Sequence, residues 1–355
     1  MTDPLNLDAF EAIARETLPA MTYDFIAGGA EDERTVVGNR AAFAGRVLRN
    51  RVLVDVETRD MRTRLLGLDL AHPILLAPTA LHRLAHPEGE LATARGAATA
   101  GALYTVSTAT STPLEEIQRA APDGLRWFQL YHLGDRAATE ELIRLAVATG
   151  HQAIVLTVDV PLLGRRERDL RNLFTLPPGT AMVHAHEPAW SSSGEDPARG
   201  WASPIASRTL TWGDLSWIRA AGGGVPLLLK GIVRGDDAEH ALNLGVDGVW
   251  VSNHGGRQLD GAIATLDALA DVVEAVAGNC AIVVDGGIRR GTDVVKALAL
   301  GADAVAIGRP QLFGLAAGGA AGVQRVVELL RAELDLAMAL VGAPSLDALE
   351  PDLIG

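Results

Sequence analysis

The segment Ser252-Asn-His-Gly-Gly-Arg257 sets an imidazole and a guanidinium three residues apart in a glycine-rich turn. Histidine takes up a proton near neutral pH, and arginine grips a carboxylate through two parallel hydrogen bonds. Arg165 and Arg166 could bring a further cation to the same carboxylate, and Asp159 could orient or charge-stabilise His254. A lone histidine in such a turn is structural more often than catalytic, so the weight falls on the company it keeps. Two more clusters, Asp285-Gly-Gly-Ile-Arg289 and Gly308-Arg309, join glycines with exposed backbone N–H groups to arginine forks. They read as a phosphate site, with turns carrying solvated arginines as the bland alternative.

These residues need elements that bring them together. Short, branched apolar runs recur at Pro73–Pro78, Leu103–Ser107, Arg126–Tyr131, Ala153–Asp159, Pro226–Gly231, Gly248–Asn253, Ala281–Asp285 and Ala304–Gly308. Helix-like stretches separate most of them, at Gly89–Ala100, Ala137–Thr149, Asp236–Leu244, Leu266–Ala277 and Asp293–Leu300. Near-continuous apolar strands alternating with helices predict an α/β fold, a (β/α)8 barrel, with a doubly wound open sheet as the alternative. In the barrel, Gln129, Tyr131, Thr157, Asp159, Lys230, Asn253, His254, Asp285 and Arg309 all fall at or just past strand C-termini and converge on one pocket.

The whole chain, 1–355, reads as a single barrel domain. An N-terminal extension covers 1–60, opening with a helix that places Leu7, Phe10, Ile13 and Ala14 on one side and then running irregularly to about Asp60. An insertion over 165–215 follows the fourth strand; its Thr180–Ser203 stretch reads as a loop over the mouth of the barrel, a lid or a disordered decoration.

Composition removes other classes. The 355 residues are 48% hydrophobic and 4% aromatic, an ordinary globular balance, and the net charge of −13 argues against nucleic acid. No apolar run is long enough to span a membrane, and the acidic N-terminus lacks a signal peptide's basic start, so a cytoplasmic location is expected. The one cysteine, Cys280, lies in an apolar run and reads as a buried thiol. His86 reads as structural, and His184 with His186 lacks a third ligand, so no metal is expected. Trp127, Trp250 and Phe313 read as core.

Across essentially its full length the sequence resembles the FMN-dependent (S)-2-hydroxy-acid oxidases and dehydrogenases, a family that includes glycolate oxidase, lactate oxidase, mandelate dehydrogenase and hydroxymandelate oxidase. The resemblance runs through Tyr23-Asp-Phe, Ala77-Pro-Thr-Ala80, His86-Pro-Glu-Gly-Glu90, Phe128-Gln-Leu-Tyr131, Leu156-Thr-Val-Asp159, Gly164-Arg-Arg166, Leu229-Lys-Gly231, Ser252–Asp260, Asp285-Gly-Gly287 and Ile307-Gly-Arg-Pro310. It implies FMN as cofactor. Ring contacts would come from Pro78, Thr79 and Ala80, Ser107, Gln129, Thr157 and Lys230, with Ser252 beside them. Ribose and phosphate contacts would come from Asp285, Gly286, Gly287, Arg289, Gly308 and Arg309. His254 matches the active-site base paired with Asp159, Arg166 and Arg257 match the carboxylate clamp, and Tyr131 matches a hydroxyl near the reacting centre. A homotetramer is implied as well.

Two departures bear on the substrate. Glycolate oxidase-like members carry a tyrosine where Phe25 stands and a tryptophan where Ala109 stands; hydroxymandelate oxidase-like members lack both groups. The resemblance thus implies a bulky or aryl 2-hydroxy acid. Ala80 matches the oxidase-like members, which implies molecular oxygen as acceptor and hydrogen peroxide as product. A dehydrogenase with a quinone or protein acceptor, a monooxygenase like lactate monooxygenase, a non-redox FMN barrel isomerase and a ligand-binding barrel without catalysis are the alternatives.

Overall fold

The computed structural model describes residues 4–184 and 207–355. Helices α1 (Leu7–Thr17), α2 (Ala20–Ala27) and α3 (Arg34–Ala44) precede an antiparallel hairpin of β1 (Thr63–Leu65) and β2 (Leu68–Leu70). A barrel follows, built from β3 (Ile74–Leu76), β4 (Tyr104–Ser107), β5 (Arg126–Leu130), β6 (Ile154–Thr157), β7 (Leu227–Ile232), β8 (Gly248–Val251), β9 (Ala281–Asp285) and β10 (Ala304–Ile307). All pair in parallel in chain order, and β10 closes against β3. The barrel expected from the spacing is the one observed, and the open sheet is excluded by that closure.

The strands carry apolar residues on both faces because both faces are covered. Leu75, Trp127, Val155, Leu228, Trp250 and Val283 fill the interior, while Ile74, Phe128, Ile154, Val249 and Val305 pack under the helices. Trp127 and Trp250 meet edge to face, ring centres 6.5 Å apart, so the barrel centre is solid. Leu65 and Leu70 of the hairpin join Leu103, Ala153 and Ala304, all at strand N-termini, and cover that end. The open end is therefore the C-terminal one.

The crossover helices are α4 (Gly89–Ala100), α5 (Leu114–Ala120), α6 (Arg136–Ala148), α7 (Glu167–Arg171), α8 (Leu215–Ala221), α9 (Gly235–Asn243), α10 (Thr265–Val276) and α11 (Gly291–Ala299). The long α12 (Arg309–Val341), broken at Gly318 and Gly319, follows β10 and packs on α1. Leu7, Phe10 and Ala14 of α1 are buried there, as their spacing requires, while Ile13 is only half-buried.

Three expectations are corrected. The stretch from Ala20 to Asp60 is not irregular throughout, because α2 and α3 occupy much of it. Helix α2 buries Thr22, Tyr23, Phe25 and Ile26 at helical spacing, but its eight residues also carry Ala20, Met21 and Ala27 on the other side, so no distinct apolar stripe stands out. The 165–215 insertion contains α7, whose five residues are too short for a periodic signal. Cys280 is half-buried, with burial pushing its thiol up to about 11. Of the stretch Thr180–Ser203, read as a lid or decoration, residues 185–203 lie outside the described residues, as does His186. Among the described residues no helix is long and apolar enough to cross a membrane.

Candidate active site

The strand register builds a polar tier at the open end. Ser107 lies opposite Gln129, and Thr157 opposite Lys230. The Ser107 hydroxyl donates to Gln129 Oε1 at 2.9 Å, and Gln129 Nε2 donates to Thr157 Oγ1 at 2.9 Å. Lys230 is 4% exposed; its ammonium donates to Ser252 Oγ at 2.9 Å and lies 3.4 Å from the Asp285 carboxylate. Ser252 and the Trp250 indole donate in turn to Asp285, at 2.7 and 3.0 Å. The Lys230 amine is thereby held in place at the mouth by Ser252 and Asp285.

Above this tier opens a cleft of about 1050 Å³, its mouth included. Its walls include Phe25, Pro78, Thr79, Ala80, Ser107, Ala109, Tyr131, Arg166, Lys230, His254 and Arg257 at one end, and Asp285, Gly286, Gly287, Arg289, Gly308 and Arg309 at the other. Gln129, Thr157, Asp159 and Ser252 do not line the cleft; they stand behind residues that do.

His254 has φ +58°, a left-handed conformation that costs a branched-free side chain about 1–2 kcal/mol. Gly255 and Gly256 continue the left-handed path at +62° and +74°. The result swings the ring toward the cleft. His254 Nδ1 lies 2.9 Å from Asp159 Oδ1, and Nε2 lies 3.5 Å from the Tyr131 hydroxyl. An ionised Asp159 is acceptor-only, so Nδ1 carries the hydrogen and Nε2 offers its lone pair. Burial pushes the Asp159 carboxyl up, but the charge and hydrogen bond of His254, with Lys230 behind, bring it below its ordinary value. Burial holds His254 below its ordinary value, although Asp159 pulls the other way. Burial, with Asp159 adding, raises the Tyr131 phenol, which therefore stays protonated and able to donate.

Arg166 and Arg257 face the same end. Burial and the neighbouring Arg257 bring Arg166 down to about 9, and burial lowers Arg257 as well. Buried cations held so close together make a place for an anion. Arg257 Nη1 donates to the Gly28 carbonyl at 2.7 Å, and its guanidinium lies 5.4 Å above the Phe25 ring. Arg165 does not join them: its side chain is about half exposed and lies 3.8 Å from Glu167, away from the cleft. That is a correction, and its cause is the start of α7: Arg166 occupies the N-cap position while Arg165, one residue earlier, turns out to solvent.

At the other end, Arg309 donates to the carbonyls of Ala27, Gly28 and Gly255 at 3.1, 2.8 and 2.8 Å. Burial, then Arg257 and Arg289, lower it to about 9; burial also lowers Arg289. Glycine is required at 287, where φ is +95° and a Cβ would fall 2.3 Å from the Asn39 carbonyl. Two partly buried arginines over glycine-rich backbone at the ends of β9 and β10 make an arrangement that could hold a phosphate, at the place where such barrels often bind one. With Lys230 lining the same cleft, this donor set fits FMN.

Some wall residues have no signal of their own in the sequence. Phe174 stacks under Phe25, ring centres 4.5 Å apart and planes within 7°. Leu163 and Leu312 line the cleft, and Asp169 is buried near Arg166 and Arg257. Leucine and phenylalanine in loops look like any core residue; only the adjacent Gly164-Arg-Arg166 motif hints at Phe174 and Asp169. Trp127, Trp250 and Phe313 are core as expected.

Residues 14–355 match the family described as FMN-dependent dehydrogenase. The chain is 46% identical to an L-lactate oxidase of Nostoc sp., over 100% of this chain and 99% of that protein. It is 48% identical to a peroxisomal (S)-2-hydroxy-acid oxidase of Oryza sativa subsp. japonica, over 96% of this chain and 93% of that one. Among solved structures, a mandelate oxidase with (S)-2-phenylpropionate superposes with a TM-score of 0.89 at 41% identity, covering 99% of this chain and 98% of that chain. The chain belongs to the FMN-dependent dehydrogenase family, and FMN is its cofactor.

Proposed function

We propose that this protein oxidises (S)-2-hydroxy acids with bulky, mandelate-like side chains to 2-oxo acids, with molecular oxygen as acceptor and hydrogen peroxide as product. The observation that carries the reading is His254, fixed by Asp159 at Nδ1 and offering Nε2 to a cleft that also holds Arg166, Arg257 and Tyr131. FMN, when bound, supplies the two-electron acceptor for the substrate carbon and the route to oxygen. Lys230, Ser107 and the Pro78–Ala80 backbone would hold its ring end, with Gln129 and Thr157 bracing Ser107 from behind; Asp285, Gly286, Gly287, Arg289, Gly308 and Arg309 would hold its ribose and phosphate end.

Arg166 and Arg257 anchor the substrate carboxylate and so fix the reacting carbon. His254 Nε2 takes the hydroxyl proton, and the Asp159 carboxylate balances the charge that forms on the imidazole. The Tyr131 phenol donates to substrate oxygen as that proton leaves.

Side-chain size follows from Ala109 and Phe25. Ala109 is 1% exposed in the cleft wall, and Phe25 backed by Phe174 gives a flat apolar plate with no hydroxyl. The match to mandelate oxidases in the presence of (S)-mandelic acid and (S)-2-phenylpropionate supports an aryl group. Ala80 in the wall and the name oxidase borne by the relatives support oxygen as acceptor. We read the 1–355 chain as one domain working in the cytoplasm as a homotetramer, which light scattering on the purified protein tests. Turnover on a panel of glycolate, (S)-lactate and (S)-mandelate, with peroxide measured, tests the reaction; a preference for glycolate would refute the aryl reading.

A further inference from the structure

Asn39 lies on α3, outside the barrel, and is 2% exposed. Its amide pairs reciprocally with that of Asn253: Asn39 Nδ2 donates to Asn253 Oδ1 at 2.9 Å, and Asn253 Nδ2 donates to Asn39 Oδ1 at 2.8 Å. Asn39 Oδ1 also accepts the Thr265 amide at 3.2 Å, which ties the pair to the start of α10. Asn253 Oδ1 accepts the Gly256 amide at 3.1 Å, closing the turn in which His254 is held left-handed. Within the turn the Gly256 amide meets the Asn253 carbonyl at 3.1 Å and the Arg257 amide meets the His254 carbonyl at 3.3 Å; the Asn39–Asn253 pair braces that strained turn from outside.

The same residue also touches the phosphate end. A Cβ on Gly287 would lie 2.3 Å from the Asn39 main-chain carbonyl, and one on Gly286 would lie 3.1 Å from Nδ2 of the Asn39 side chain, which is the contact that a substitution of Asn39 removes or changes. The Gly286 carbonyl in turn accepts the Thr265 hydroxyl at 3.3 Å. Asn39 thus spans the turn that aims His254 and the glycine pair at the end of β9.

We propose that Asn39 is a positioning residue that couples these two loops, so that filling the phosphate end and setting the His254 ring are one event. The proposal rests on the reading of His254 as base and of Gly286–Gly287 as part of the FMN cradle. The geometry requires a side chain that both donates and accepts. Asn39→Ala removes both functions; Asn39→Asp keeps the acceptor toward Asn253 Nδ2 and Thr265 but loses the donor to Asn253 Oδ1.

The test compares the full-length protein and both variants, with and without FMN. Amide hydrogen exchange is read at Gly256, FMN affinity by fluorescence quenching, and kcat and KM on (S)-mandelate. Asn39→Ala should lower kcat about 10-fold to 100-fold through misplacement of the base. KM should change by no more than about twofold, since the carboxylate clamp is untouched. FMN should bind about tenfold more weakly, and the exchange protection that FMN confers on Gly256 should be lost. Asn39→Asp should fall between wild type and Asn39→Ala on every measure, and it carries the test alone if the alanine variant does not fold. Wild-type FMN affinity and wild-type Gly256 protection in a folded variant, with only the melting temperature lowered, would overturn the proposal. Failure of the base assignment looks different: His254→Asn would keep its turnover while Gly256 protection and FMN affinity still responded to Asn39.

Discussion

His254 Nδ1 lies 2.9 Å from Asp159 Oδ1, a hydrogen bond that joins the ends of β8 and β6 across 95 residues of sequence. The contact exists because both residues sit just past strand C-termini that the barrel brings to one rim. It fixes the tautomer, so the nitrogen facing the cleft is the one with a free lone pair. His254→Asn should therefore bind FMN normally yet lose turnover by about 10²–10⁴-fold. Near-normal turnover of the flavin-loaded variant would remove His254 from the base position.

The pH dependence follows from the same pair. A base must be unprotonated, so kcat/KM should fall as pH drops through the His254 pKa of the free enzyme. Burial holds that pKa below the ordinary histidine value, which puts the acidic limb lower than a solvent-exposed imidazole would. Asp159 raises the His254 pKa, so Asp159→Asn should move the limb to still lower pH while reducing kcat. Steady-state rates measured across the acid range decide it; a limb that moves to higher pH would contradict this electrostatic account.

Carboxylate recognition should rest on Arg166 and Arg257, because Phe25 has no hydroxyl to share the work. Arg166→Met should cost about 2–5 kcal/mol in kcat/KM, as the substrate charge then lies buried beside a weakened clamp. Equal rates of this variant on the acid and its methyl ester, with wild type also indifferent between them, would show that the clamp is elsewhere.

Ala109 lines the cleft wall, and the proposed preference for bulky acids rests on its small side chain. A phenyl group buried beside it gains about 2 kcal/mol, from roughly 25 cal/mol per Å² of apolar surface, or about 30-fold in kcat/KM when realised in the transition state. Ala109→Trp should erase or reverse the preference for (S)-mandelate over (S)-lactate and leave FMN affinity nearly unchanged. An equal loss on both acids would mean that Ala109 does not face the substrate side chain.

The barrel and its polar rim were legible because each strand is a short apolar run ending in a polar residue, a pattern that repeats. Gln129, Thr157, Lys230, His254 and Asp285 are placed on the rim by that pattern alone. Helix α2 was not legible, since apolar residues run round both of its sides, and α7 was too short to register. Arg165 and Arg166 are chemically identical in sequence; only the start of α7 decides which one enters the cleft. Phe174 is set beneath Phe25 by a fold-level contact across 149 residues, and no local pattern announces such a plate. Asn39 belongs to the same class: a buried amide in a helix reads as a surface residue until its partner, Asn253, is known.

Anaerobic mixing of the FMN-loaded protein with (S)-mandelate, followed at the visible flavin absorbance and then opened to air, tests the central claim most directly. The expected result is rapid bleaching, faster than with glycolate, then return of the yellow colour in air with formation of peroxide and the 2-oxo acid. Flavin that stays oxidised with (S)-mandelate, (S)-lactate and glycolate alike, or that bleaches and then persists reduced in aerated buffer, would contradict the account.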